Sequence, residues 1–182
     1  MENMPVVKEF IELAELDCAS RHERLVVDAV TKKLKELGFT VREDDTAAKV
    51  EGEAGNVCAY LEGTAKGCVL FAAHLDRVQN GLGIKPRLKD GNLVSDGTTI
   101  LAADDLSGVA AILDGIRRVL ASGKPYPRIE VLFSVCEEIG VQGTKHLDTS
   151  LFEAKYGFVL DSPGRIGRVL DSAMGKAELF LD

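Results

Sequence analysis

The stretch Cys68-Val69-Leu70-Phe71-Ala72-Ala73 is apolar along its whole length and too short for a free-standing helix. It reads as a strand buried on both faces, which requires packed layers on either side of a sheet. It runs directly into His74-Leu75-Asp76. The C-terminal ends of strands are where open α/β sheets place their sites. Residues two apart on a strand share a face. His74 could therefore hold a metal through one ring nitrogen while Asp76 fixes the other.

The rest of the chain alternates helix and strand patterns. Val6 to Leu16 has helical spacing. Ser20-Arg21-His22-Glu23 reads as a capping box, with Ser20 as N-cap and Glu23 reaching back. It opens a helix to about Leu37 with Leu25, Val26, Ala29, Val30, Leu34 and Leu37 on one face, closed by Gly38. His22 falls on an exposed turn and is given no chemistry. Short strands are expected at Phe39–Arg42 and Asn56–Glu62, while Lys49–Glu53 fits neither pattern clearly. Arg87–Val94 reads as a hairpin around Asp90-Gly91. A helix to about Leu120 follows Asp104-Asp105; Gly108 and Gly115 weaken it but let it lie close on the sheet. Ile129–Val135 is the expected central strand. A short helix is expected at Gln142–Leu147, and strands at Tyr156–Leu160, Ile166–Leu170 and Ala177–Leu181. This alternation predicts an α/β fold, a three-layer α/β/α sheet with helices on both faces.

Composition narrows the function classes. With 182 residues the chain can bury one real core. Its net charge of −7 comes with no basic stripe or stacking aromatic series, which argues against nucleic acid. No apolar run is long enough to cross a membrane. Met1-Glu2-Asn3-Met4-Pro5 lacks the basic start and apolar core of a signal peptide, so the expected location is cytoplasmic. Cys18, Cys58, Cys68 and Cys136 form no Cys-x-x-Cys pair; Cys58, Cys68 and Cys136 lie in apolar strand-like runs and read as buried, unreactive thiols. A cysteine hydrolase using Cys136 is a third reading beside those below.

Four apolar runs share an ending: His74/Asp76, Asp104/Asp105, Glu137/Glu138 and Asp161. Taken singly, each has a plainer explanation. Asp104 or Asp105 could cap a helix, Glu137-Glu138 could be a solvated turn, and Asp161 could start an Asx turn. Together they gather carboxylates and a histidine, with Arg77 after Asp76 the one lysine or arginine directly adjoining them. Such a group repels itself unless cations neutralise it. A zinc-type site with nitrogen and oxygen ligands fits that inventory.

These residues resemble a family. His74-Leu75-Asp76, Gly97-Thr98-Thr99-Ile100-Leu101-Ala102-Ala103-Asp104-Asp105 and Glu137-Glu138-Ile139-Gly140 look like the M20-type co-catalytic zinc metallopeptidases, in the tripeptidase (peptidase T-like) branch. The resemblance implies two zinc ions about 3.5–4 Å apart in a complete enzyme. It implies that His74 and Asp161 bind one metal, Glu138 the other, and that Asp104 bridges them. Asp76 orients His74. Glu137 is the general base, moving a proton from water to the leaving amine. A cis peptide between Asp104 and Asp105 is implied as well. The substrate would be a short peptide; an amidohydrolase or deacylase of the same family is the near alternative. A non-catalytic relative acting as a binding or assembly module is the other class.

The sequence departs from that family twice. Leu106-Ser107 stands where a basic residue is common after the Asp-Asp pair. Members also run to roughly twice this length, with a lid domain and a returning segment that brings a last histidine ligand. Residues 1–175 would then be the N-terminal portion of the catalytic domain and 176–182 the start of the segment leading to the lid. His22 and His146 match no ligand motif. The expectations are at most one tight zinc in this chain, little activity from it alone, and self-association through uncovered apolar surface.

Overall fold

The computed structural model describes residues 4–162, 164–165 and 167–170. Two helices come first, α1 (Pro5–Ala14) and α2 (Arg24–Glu36), followed by strand β1 (Thr40–Glu43) and a short helix α3 (Thr46–Val50). Strands β2 (Val57–Leu61) and β3 (Cys68–His74) precede a small hairpin, β4 (Arg87–Lys89) and β5 (Asn92–Val94). The long helix α4 (Ala103–Ala121), strand β6 (Arg128–Ser134), helix α5 (Gln142–Lys145), a 3₁₀ turn (Thr149–Leu151) and strand β7 (Gly157–Val159) complete it.

The main sheet has the order β1-β2-β6-β3-β7. β6 is its central strand, as its apolar run predicts, antiparallel to β2 and parallel to β3. β7 runs parallel to β3 on the other side. Strand periodicity sorts the two faces. Val57, Ala59, Ala73, Val131 and Phe133 join the main core with α1, α2 and α4. Cys58, Ala72 and Leu132 point the opposite way, under Leu147, Leu151 and Phe152. The sheet is therefore mixed and layered as expected, with the thicker core on the α1/α2/α4 side.

Gly108 explains how closely α4 approaches. A Cβ there would overlap the Asp105 carboxylate and come within 2.8 Å of the Leu160 carbonyl. Gly115 faces open space, so only the first of the two helix glycines has the packing role expected of it.

Several expectations are corrected. Ser20 and Glu23 do not form a capping box: no side chain caps α2, and both turn toward the sheet instead. Charged, buried acceptors and donors there outcompete a solvated cap. Leu25 is 56% exposed; Val27 takes the inward place. The ambiguous stretch partly joins α3. Residues 167–170 form a turn and irregular chain rather than a strand; Ile166 and the expected strand Ala177–Leu181 lie outside the described residues. Among the described residues, no helix is long and apolar enough to cross a membrane.

Candidate metal centre

Parallel pairing brings the chemistry to one edge. In β3 and β6, His74 lies opposite Ser134; in β3 and β7, Ala72 lies opposite Val159. Continuing each register by two residues sets Asp161 level with His74, and Asp76 level with Cys136 two residues further along. Asp104 and Asp105 arrive differently. They are not at a strand end but at the start of α4, where both have non-helical backbone and a cis peptide joins them.

His74 is the centre of the cluster, 3% exposed. Its Nδ1 lies 2.9 Å from the Asp76 carbonyl and 3.4 Å from the Asp76 carboxylate. Its Nε2 faces outward, 2.9 Å from Asp104 Oδ1 and 4.0 Å from Glu137 Oε2. Ligand-type atoms of His74, Asp104 and Glu138 lie within 4.8 Å of one another, and so do those of His74, Glu137 and Asp161. All the expected metal-site residues thus meet at this edge. By proximity alone, Asp161 is grouped with Glu137 and His74, and Asp104 with Glu138 and His74.

Asp76 does more than face the histidine. Wholly buried, it accepts the backbone N–H of Glu137 (2.8 Å) through Oδ1. Its Oδ2 accepts the N–H of Glu138 (3.2 Å) and the Ser20 hydroxyl (2.5 Å). Asp105, also buried, accepts the His74 N–H at 3.2 Å. Sequence reasoning missed Ser20, Glu23 and the Asp105 carboxylate. Ser20 and Glu23 reach partners 56 and 113 residues away, so no local pattern marks them.

The charges are crowded. Burial alone would lower His74, but hydrogen bonds to Asp76 and Asp104 prevail and hold it up at about 10. Burial, with Asp161 and Asp104 nearby, pushes Asp105 up to about 7. Glu137 and Glu138 are raised first by burial, then by neighbouring carboxylates. Asp76 is depressed: burial opposes ionisation, but the bonds from His74, Ser20 and the Glu137 amide outweigh it. Among the described residues, no lysine or arginine pairs with any of these acids. The donor set is therefore one imidazole and several mutually repelling carboxylates, which fits a divalent cation such as zinc.

The other candidates fall away. Burial pushes the Cys136 thiol up to about 12, which removes the thiolate a nucleophile needs. Cys18 and Cys58 are buried and Cys68 partly so. His22 pairs with Glu53 in solvent, and His146 is exposed at the end of α5.

Comparison with known proteins shows the family and the fold. Residues 56–180 match the family model of Peptidase family M28. The Bacillus subtilis protein YqjE is 37% identical over 96% of this chain and 47% of its own length. The structure of aminopeptidase PepT from Bacillus cereus is 42% identical with a TM-score of 0.87, covering 90% of this chain and 44% of that one. A Staphylococcus aureus tripeptidase is 30% identical with a TM-score of 0.85, covering 88% and 43%. The chain thus spans about half the length of these relatives. The sequence motifs resemble the M20 type, whereas the matching family model is M28; the likeness to peptidase T is carried by the solved structures and by Peptidase T of Edwardsiella ictaluri, 36% identical over 40% of this chain and 17% of its own length. With its layered sheet, its acidic strand-end cluster and that match across more than half its length, the chain belongs to peptidase family M28.

Proposed function

We propose that these residues form the catalytic edge of a zinc-dependent peptidase acting on short peptides, in the manner of a peptidase T-like aminopeptidase or tripeptidase of the M20 type. One observation carries the reading: His74 Nε2 points into a ring of carboxylates from separate segments that, among the described residues, no lysine or arginine pairs with. The PepT and tripeptidase structures support the substrate class. The four free cysteines are consistent with a cytoplasmic setting.

His74, Asp104, Glu138 and Asp161 would hold zinc. When bound, zinc would neutralise the cluster, polarise the scissile carbonyl and acidify water. The remaining work falls to the chain. Glu137, raised above the ordinary carboxylate range, takes a proton from the attacking water and delivers it to the leaving amine. Asp76 fixes the backbone from which Glu137 and Glu138 project.

Both three-residue groupings include His74, whose Nδ1 is engaged by Asp76. Only Nε2 is free to bind, so His74 serves one cation, with Glu137 kept free as the base. The 182-residue chain should titrate with one tight zinc; two tight ions would contradict the assignment. Activity is tested by tripeptide hydrolysis with zinc, using the chain alone and joined to the remaining sequence of the Bacillus cereus PepT. Turnover that is lost in E137Q while zinc is retained supports the reading. Turnover indifferent to E137Q overturns it.

A further inference from the structure

The turn that carries Glu137 and Glu138 is held by more than Asp76. Cys136, just before it, has a left-handed backbone (φ 54°), a conformation that a side chain with a Cβ rarely adopts. Its N–H donates to Oε1 of Glu23 at 3.0 Å, and its Sγ lies 3.4 Å from the same oxygen. Glu23 is wholly buried, and its other oxygen, Oε2, has no hydrogen-bond partner. Three consecutive amides, those of residues 136, 137 and 138, are thus captured by two buried carboxylates, Glu23 and Asp76.

A buried carboxyl with one unpartnered oxygen costs the fold stability. A fold concerned only with packing would place an apolar side chain at position 23. The Glu23 carboxyl does not cap its own helix, although it stands at the first position where it could. Besides the nearby amides of Arg21 and of Glu23 itself, its long-range partner is the left-handed residue that aims the next two side chains.

We propose that Glu23 is a positioning residue of the metal centre, acting through the backbone of Cys136 to set the directions of Glu137 and Glu138. The proposal rests on the zinc-peptidase reading only for its effect on metal; its effect on the turn is independent of metal. Glutamine keeps the acceptor at Oε1, and methionine keeps the volume without it. E23Q and E23M therefore separate hydrogen bonding from packing.

The first measurement is hydrogen–deuterium exchange in the metal-free full chain, followed on the segment holding amides 136–138. E23M should speed exchange there about tenfold, while E23Q stays near the parent. The second is zinc affinity by competition with a chromophoric chelator. E23M should lose about tenfold to a hundredfold, with E23Q restoring it to within a few-fold. Thermal unfolding identifies any variant that fails to fold, and E23L then replaces E23M. If the parent binds no zinc, the metal reading fails and exchange alone decides the positioning role. Exchange at 136–138 and zinc affinity both unchanged in a folded E23M overturn the proposal. Equal loss in E23Q and E23M also overturns it, because then the acceptor oxygen is not what matters.

Discussion

Replacing Asp76 tests the architecture of the site most directly. Its carboxylate accepts three hydrogen bonds, two from backbone amides and one from Ser20, and it lies beside the His74 ring. In D76A the Ser20 hydroxyl can turn to another partner, but the Glu137 and Glu138 amides cannot. Leaving two amides unsatisfied at about 1–3 kcal/mol each, and removing the charge that His74 pairs with, gives a loss of about 3–5 kcal/mol. D76N keeps the shape and one acceptor oxygen. Its amide NH2 must face either the Glu137 or the Glu138 N–H, donor against donor, so about half the loss should remain, ~2 kcal/mol. Urea denaturation of the metal-free chain at pH 7 measures both, with the slope checked for unchanged two-state behaviour. The ranking D76A worse than D76N worse than parent is the essential outcome. A D76N variant within 0.5 kcal/mol of parent, about the spread of neutral surface changes, would show that the two amides do not depend on this carboxylate.

Further outcomes follow from the same geometry. H74A should abolish tight zinc binding, since both groupings need its Nε2; calorimetry retaining more than a tenth of the parent affinity would exclude His74 as the pivotal ligand. The metal-free chain should lose stability as pH rises. His74 is raised from 6.5 to about 10, so its contribution is complete below 6.5 and fades toward 10. Asp105, raised from 3.8 to about 7, slopes the same way across its own window, while depressed Asp76 opposes only in acid. A melting temperature that is flat or rising from pH 6.5 to 10 would contradict this. G108A should cost about 1–3 kcal/mol by overpacking, more than the ~1 kcal/mol it gains in helix propensity, and a stabilised variant would show that α4 can retreat from Leu160. Phe158 and Val159 of β7, and Tyr156 just before it, are exposed, so the chain should self-associate there; light scattering should show F158K shifting it toward monomer, and an unchanged mass distribution would place association elsewhere.

What could be read from the sequence was what short-range physics determines. The apolar runs of β3 and β6 marked buried strands because no other placement hides them, and β6 is indeed central. The Asp90-Gly91 turn gave its hairpin for the same local reason. Ser20 and Glu23 misled because a capping box and a pair of inward-facing polar residues have the same spelling. Which is formed depends on Asp76 and Cys136, and those contacts exist only after the sheet is assembled. Asp104-Asp105 looked like a strand end because apolar residues precede it, yet it begins α4. The four candidate endings could be listed from the sequence, but their distances from His74 could not, since these depend on strand register and on the direction of one ring nitrogen.

That register also explains why acids can be concentrated here without unfolding the edge. β3, β6 and β7 run parallel, so their C-terminal ends face one side and their last residues cannot avoid one another. The metal-free fold relieves the repulsion in two ways. Backbone amides absorb the most buried charge, at Asp76, and a proton is retained on His74 between Asp76 and Asp104. Glu137 and Glu138, left without such donors, and Asp105, which has the His74 amide alone, are the ones pushed upward. A proton on Nε2 occupies the place where a cation would take its nitrogen ligand. The same convergence that creates affinity for a metal therefore also makes protons its competitor, and binding must weaken as pH falls.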